Sequence, residues 1–348
     1  MRGPTRLARR ADRIAAATAA QAVRRARRGP VRRVAPVDRD LPALVSEVVA
    51  EAPDVVALRL VHRGGAPLPS WQPGAHVDVV LPSGRVRQYS LCGDPRDLTC
   101  YRIAVRRIDD GAGGSKEVHA LAAGDAVVLR GPRNAFPMAT APEYLFIAGG
   151  IGITPLTPMA GAAAAAGIPW RLLHTGRDLA SLPLSAALLG RYPEHVRRRS
   201  DAGHGGLPST AELLDGLTAA TAVYVCGPPA MIDLLRAAVP STTAFHAERF
   251  SPPPVRGGSP FTVRLGTDGP VVDVPADRSA LHAIRAVYPD VAYSCRQGFC
   301  GTCHVPLLAG ATVGDTAGPG RTALCTGRAA GPEIVVDLPA AARARVRS

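Results

Sequence analysis

The chain has 348 residues, a formal net charge of +13, 47% hydrophobic residues and seven cysteines. That length suits two or three domains with sizeable cores. The charge sits at the ends: residues 1–40 carry twelve Arg against three Asp, or +9, and Arg343, Arg345 and Arg347 add +3, leaving +1 for residues 41–342. A basic nucleic-acid surface is thereby excluded from the body, and 4% aromatics is too few for a base-stacking platform. An odd, sparse set of cysteines excludes a disulfide-dense scaffold.

Residues 1–40 form a basic extension, flexible or helical. Leu7, Ile14 and Val23 give it only a thin apolar stripe. A solvated tail is the plain reading, and a surface for anionic lipid or an acidic partner is the sharper one. No export signal follows the paired arginines. Residues 41–140 read as a small antiparallel barrel, with strands at Ala75–Leu81, Val86–Leu91 and Tyr101–Arg107 between turn residues. Residues 141–250 alternate strand and helix: strands at Tyr144–Ala148, Arg171–Thr175 and Ala222–Val225, helices at 155–167 and Pro229–Val239. That alternation predicts an α/β parallel sheet. Residues 251–260 are a linker by composition. Residues 261–348 open with a hairpin, Phe261–Leu265 and Val271–Val274, then a helix at Ser279–Tyr288 with Ser279 as N-cap. A last strand falls at Glu333–Leu338. The uncharged stretch from Tyr144 to Trp170 is long enough to span a bilayer, but GGIGITPLTP breaks it, so the expectation is a soluble, cytoplasmic protein.

Four segments carry candidate binding chemistry. Arg87-Gln88-Tyr89-Ser90 ends a barrel strand; Arg87 can pair with a phosphate, Tyr89 can lie against a flat ring, and Ser90 can bond a ring nitrogen. A strand end with an exposed Arg is the alternative. Gly113-Gly114-Ser115-Lys116 opens a helix whose N–H groups can face a phosphate, or is an ordinary loop. Gly149-Gly150-Ile151-Gly152-Ile153-Thr154-Pro155 joins a strand to a helix, where glycine admits a dinucleotide close to the backbone. It is not the G-x-G-x-x-G fingerprint. Cys226-Gly227-Pro228-Pro229 follows another strand; Cys226 either faces a nicotinamide or is a buried strand-end cysteine.

The cysteines say most. Cys295, Cys300 and Cys303 form a C-x4-C-x2-C run, and 21 residues separate the third from Cys325. This spacing suits a plant-type [2Fe–2S] cluster on four thiolates. Zinc sites favour two C-x2-C pairs, and only one is present. Cys92 and Cys100 read as small buried hydrophobes. The nine histidines show no clustering that suggests catalysis, and no acid–base dyad stands out.

Taken in order, RQYSLC, GGSK, GPRNAF, GGIGITP, CGPPAM, HAERF and SCRQGFCGTC resemble the phthalate dioxygenase reductase and vanillate demethylase reductase family. That family lies within the ferredoxin–NAD(P)H reductase superfamily, and the resemblance covers residues 43–340. It implies a flavin barrel, a nucleotide domain and a C-terminal β-grasp ferredoxin. It also implies FMN rather than FAD, NADH rather than NADPH, and a separate terminal oxygenase, Rieske-type or cytochrome P450, as electron acceptor. By resemblance, Arg87, Tyr89, Ser90, Gly114 and Ser115 hold the flavin and Phe250 covers its ring. Thr154, Cys226, Gly227 and Pro228 face the nicotinamide beside Gly149, Gly150 and Gly152. The four cysteines hold the cluster. The span from Cys303 to Cys325 is shorter than the family pattern and lacks its acidic–histidine–arginine run. Arg177 and Arg197–Arg199 can meet a 2′-phosphate, whereas Asp178 and Asp201 repel one. The competing functions are an electron-transfer subunit of an FAD-dependent dehydrogenase and a non-enzymatic redox sensor.

Overall fold

The computed structural model describes residues 40–109, 113–250, 255, 257–289, 291–293, 296, 298 and 301–338. The basic extension before Asp40, most of the linker, Cys295, Gln297, Phe299, Cys300 and the C-terminal arginines lie outside them.

The first sheet is built from β1 (Asp40–Ala52), β2 (Val55–His62), β3 (Ala75–Val80), β4 (Val86–Ser90), β5 (Cys100–Arg106) and β6 (Ala126–Asn134). They run antiparallel in the order β4-β3-β6-β1-β2-β5. Alternate residues point inward, so Leu58, Leu60, Val77, Val79, Ile103 and Leu129 fill one core. The short helix α1 (Gly114–His119) closes it with Val118. The three barrel strands expected from sequence are present, each within a residue of its predicted ends.

The second sheet is wholly parallel, in the order β11-β10-β7-β8-β9. Its strands are β7 (Glu143–Gly149), β8 (Trp170–Gly176), β9 (Val196–Ser200), β10 (Thr221–Cys226) and β11 (Phe245–Glu248). Tyr144, Phe146, Trp170 and Tyr224 meet α2 (Ile153–Ala165) on one face. Leu145, Ile147, Val223 and Val225 meet α5 (Pro229–Ala238) on the other. Burial on both faces explains why β7 and β10 read as unbroken apolar runs. Two shorter helices, α3 (Ser185–Arg191) and α4 (Thr210–Leu213), complete the unit. Phe146 is central: its ring lies 5.7 Å from Tyr144, 6.0 Å from Tyr224 and 6.2 Å from Trp170.

The third sheet mixes directions in the order β13-β12-β18-β14-β16: β12 (Phe261–Leu265), β13 (Val271–Val274), β14 (His304–Ala309), β16 (Arg321–Ala323) and β18 (Glu333–Val336). β12 and β18 are parallel, and the other pairs are antiparallel. A two-stranded ribbon, β15 (Thr312–Val313) with β17 (Arg328–Ala329), lies beside it. Helix α6 (Ala280–Val287) packs Leu281 and Ile284 onto the sheet. Its N-cap is Ser279, whose hydroxyl accepts from the His282 amide at 3.2 Å. This is the β-grasp arrangement expected. No helix among the described residues is long and apolar enough to cross a membrane.

Truncating Phe146 to Ala leaves a cavity between sheet and α2, and is expected to cost about 3–5 kcal/mol. Denaturant unfolding followed by tryptophan fluorescence checks this, because Trp170 reports on the same core.

Candidate electron-transfer site

Parallel strands present their carboxyl ends, and the turns after β7 and β10 meet there. Gly149 to Gly152 pass directly under Cys226 and Gly227. A Cβ on Gly152 would lie 2.1 Å from the Cys226 carbonyl oxygen, and one on Gly149 would lie 2.5 Å from Pro228 Cδ. No other residue type fits, which leaves a bare backbone surface at the head of α2. Thr154 is buried, its Oγ1 donating to the Ile151 carbonyl at 3.1 Å. His174 Nε2 donates to the Gly150 carbonyl at 2.7 Å and holds the same turn from β8. Burial lowers the His174 pKa from 6.5 to about 4, so the ring is neutral at pH 7 and acts as a strut.

Cys226 is completely buried, and burial followed by the nearby Glu248 pushes its thiol well above the ordinary range. It is a neutral thiol beneath the turn, not a nucleophile. Its register partner on β11 is Glu248. The HAERF motif by itself assigns Glu248 no role. Burial raises the Glu248 pKa from 4.5 to about 8, opposed by a hydrogen bond from Ser90 Oγ at 3.4 Å. A protonated carboxyl therefore bridges the nucleotide sheet to the last residue of β4. The one available signal was its place two residues before Phe250.

On the barrel side, β4 carries Arg87, Gln88, Tyr89 and Ser90 in succession. The Arg87 side chain lies over the backbone of Gly114 at the start of α1. Tyr89 packs against the barrel core, and burial raises its phenol pKa, with Arg87 opposing. The Ser115 hydroxyl bonds both the Ile108 N–H, at 3.0 Å, and the Ile108 carbonyl, at 3.3 Å. Its amide is thus the group left to meet an anion. Arg106 on β5 ties barrel to nucleotide sheet by donating to the Ser181 carbonyl at 2.9 Å. The Arg197–Arg199 group, one of two candidates for meeting a 2′-phosphate, is part of β9. Arg199 is buried and bonded to Asp201 at 2.7 Å and Glu212 at 2.9 Å, while Arg198 donates to the Leu179 carbonyl at 2.6 Å.

Of the four motif cysteines, Cys303 and Cys325 are described. They are 3% and 6% exposed, within the third core, and no disulfide joins the described cysteines. Buried thiols at such spacing fit iron ligation, and Thr326 Oγ1 beside Cys325 is buried with no hydrogen-bond partner. In the loop, Arg296 has φ +54, a left-handed conformation that ordinary residues rarely adopt. Its guanidinium reaches the Phe250 carbonyl at 3.5 Å. Phe250 itself is 40% exposed. A cleft of about 410 Å³ beside Cys325 is lined by Arg278, His282, Arg285, Tyr293 and Arg296. It lies on the third unit, away from the glycine turn. Cys92 and Cys100 are buried as expected.

Residues 265–329 match the 2Fe-2S iron-sulfur cluster binding domain family. The chain is 37% identical over 320 residues to the putative toluene-4-sulfonate monooxygenase system reductase subunit of Comamonas testosteroni, covering 86% of this chain and 99% of that one. It is 32% identical over 306 residues to vanillate O-demethylase oxidoreductase of Pseudomonas putida, covering 83% and 96%. The solved structure of phthalate dioxygenase reductase, described as a modular structure for electron transfer from pyridine nucleotides to [2Fe-2S], superposes with TM-score 0.67 at 33% identity, covering 86% and 98%.

The Glu248 shift gives a pH test. The folded state raises its pKa, so its contribution to stability is complete below about 4.5 and is lost as pH rises through about 8. Glu248→Gln keeps the shape without the proton. Its melting temperature, relative to wild type, is expected to climb between pH 5 and 8, by an amount worth a few kcal/mol on the order-of-magnitude scale of linkage. Parallel pH profiles for the two proteins would remove the buried-proton assignment.

Proposed function

The chain belongs to the phthalate dioxygenase reductase and vanillate demethylase reductase family, and from that premise we propose that it draws electrons from NADH and delivers them singly to a separate terminal oxygenase. The observation that carries this is the glycine-walled junction after β7 and β10. It lies beside the flavin motif on β4, in a chain whose last unit carries four cysteines at cluster spacing.

A bound flavin and [2Fe–2S] cluster supply the conversion between two-electron and one-electron chemistry. The rest is positioning. Gly149, Gly150, Gly152, Gly227 and Pro228 expose backbone to the dinucleotide, and Thr154 and Cys226 form an uncharged floor beneath it. Glu248 and Ser90 offer a neutral hydrogen-bonded pair at the barrel edge, where a fixed negative charge would oppose a ring gaining electrons. Arg87 and the amides of Gly114 and Ser115 hold the phosphate. Cys295, Cys300, Cys303 and Cys325 ligate the iron. Cys303→Ser should leave NADH-driven bleaching of the flavin intact while abolishing most anaerobic transfer to cytochrome c. Undiminished transfer in that variant contradicts the cluster as exit.

FMN is favoured because the phosphate turn at Gly114 stands at one end of the flavin motif and no second nucleotide segment is recognised. Acid extraction and chromatography should return FMN; recovery of FAD rejects that assignment, and gel filtration then tests for the stable complex that the dehydrogenase-subunit reading also requires. NADH is favoured by the carboxylate of Asp178 just past β8, and because two of the candidate cations are engaged, Arg199 between Asp201 and Glu212 and Arg198 on a carbonyl, while Arg177 stands next to Asp178. Steady-state kcat/KM is expected to be at least about tenfold higher with NADH, the scale of one lost charge contact. Equal values reject the assignment.

A further inference from the structure

We propose that Thr316 and His304 are positioning residues that clamp one peptide of the cysteine loop, the Gly298 carbonyl, and thereby set the stability and electronic environment of the iron–sulfur cluster. The proposal rests on the cluster reading of Cys295, Cys300, Cys303 and Cys325. Gly298 lies between the first two of these cysteines. Its φ is +89, and a Cβ there would sit 2.5 Å from Thr316 Oγ1 and 2.8 Å from Thr326 Oγ1, so two hydroxyls press directly on the Gly298 backbone. The Gly298 carbonyl accepts two hydrogen bonds, one from the Thr316 hydroxyl and one from His304 Nε2 at 3.0 Å. Both lone pairs of that oxygen are then occupied, which fixes the peptide plane.

The origin of the two donors matters. His304 directly follows the ligand Cys303. Thr316 belongs to the shortened span before Cys325 and is presented by Asp315. One Asp315 oxygen accepts from the Ala317 amide at 2.9 Å and the Ala323 amide at 3.0 Å; the other accepts from the Thr312 hydroxyl at 2.9 Å. Ala323 is two residues before Cys325. All three chain segments that carry cysteine ligands therefore converge on a single carbonyl oxygen. Such outer partners orient ligands, and their loss typically costs 10–100-fold in metal affinity. Hydrogen bonding and exposure around the sulfurs also set cluster potential.

The test uses the full-length holoprotein as wild type, Thr316→Val, Thr316→Ser and His304→Ala. Three properties are read: iron release to bathophenanthroline, the EPR line shape of the dithionite-reduced cluster, and its midpoint potential. Thr316→Val should release iron about tenfold faster, at the low end of that range. Its EPR g-anisotropy and potential should both shift, and Thr316→Ser, which restores the hydroxyl, should return all three toward wild type. His304→Ala should change them in the same direction, and provides the comparison where Thr316→Val fails to assemble. Unchanged EPR and potential in His304→Ala and Thr316→Val, or a Thr316→Ser that behaves as Thr316→Val, overturns the clamp. Iron content of the wild-type protein tests the cluster itself separately.

Discussion

The molecule turns on a contact that only glycine permits. After β7 and β10 the backbone turns into two helices, and the two turns touch with no room for a side chain between Gly152 and the Cys226 carbonyl. A parallel sheet forces its strand ends to one edge, so this contact fixes where a dinucleotide can approach. Three buried groups around it carry no charge, a neutral His174 beneath Gly150, a protonated thiol at Cys226 and a protonated carboxyl at Glu248, while the Arg106 guanidinium lies against Gly150. Desolvation is the leading cause of all three shifts. The same burial that builds the contact therefore also sets its electrostatics.

From that edge the remaining units are joined by a few polar bridges. Ser90 to Glu248 and Arg106 to Ser181 bind barrel to nucleotide sheet, and Arg296 to Phe250 carries the cysteine loop back toward both. Two of the three bridges end in the sequence motifs: Ser90 closes the flavin motif and meets Glu248, the partner of Cys226, and Arg296 follows Cys295 and meets Phe250. On the proposed route electrons pass from the second unit to the first and then to the third, so the order of travel is not the order of units along the chain.

Much of this was legible in the sequence, for identifiable reasons. Strands with alternating or continuous apolar patterns, such as β3, β7, β10, β12 and β13, fell where the pattern put them. So did α6, because Ser279 is a strong N-cap. β9 was not legible as a strand: VRRRS looks like a basic cluster, and only the sheet shows it as an edge strand whose Arg199 is buried and matched by Glu212, 13 residues away. Glu248 was visible as a residue but not as a buried acid, because its shift comes from tertiary burial that no local pattern records. The cysteine spacing announced the cluster, while the means of holding the loop did not show. Asp315, Thr316 and His304 acquire meaning only once the chain folds back onto Gly298.

The central claim is that a single chain holds the complete route from nicotinamide through flavin to cluster. An anaerobic titration of the reconstituted protein with NADH, followed together by visible absorbance and EPR with no mediator added, tests it most directly. The account predicts that the signal of the reduced cluster grows as the flavin bleaches. A bleached flavin beside a cluster that stays oxidised until dithionite is added would contradict it.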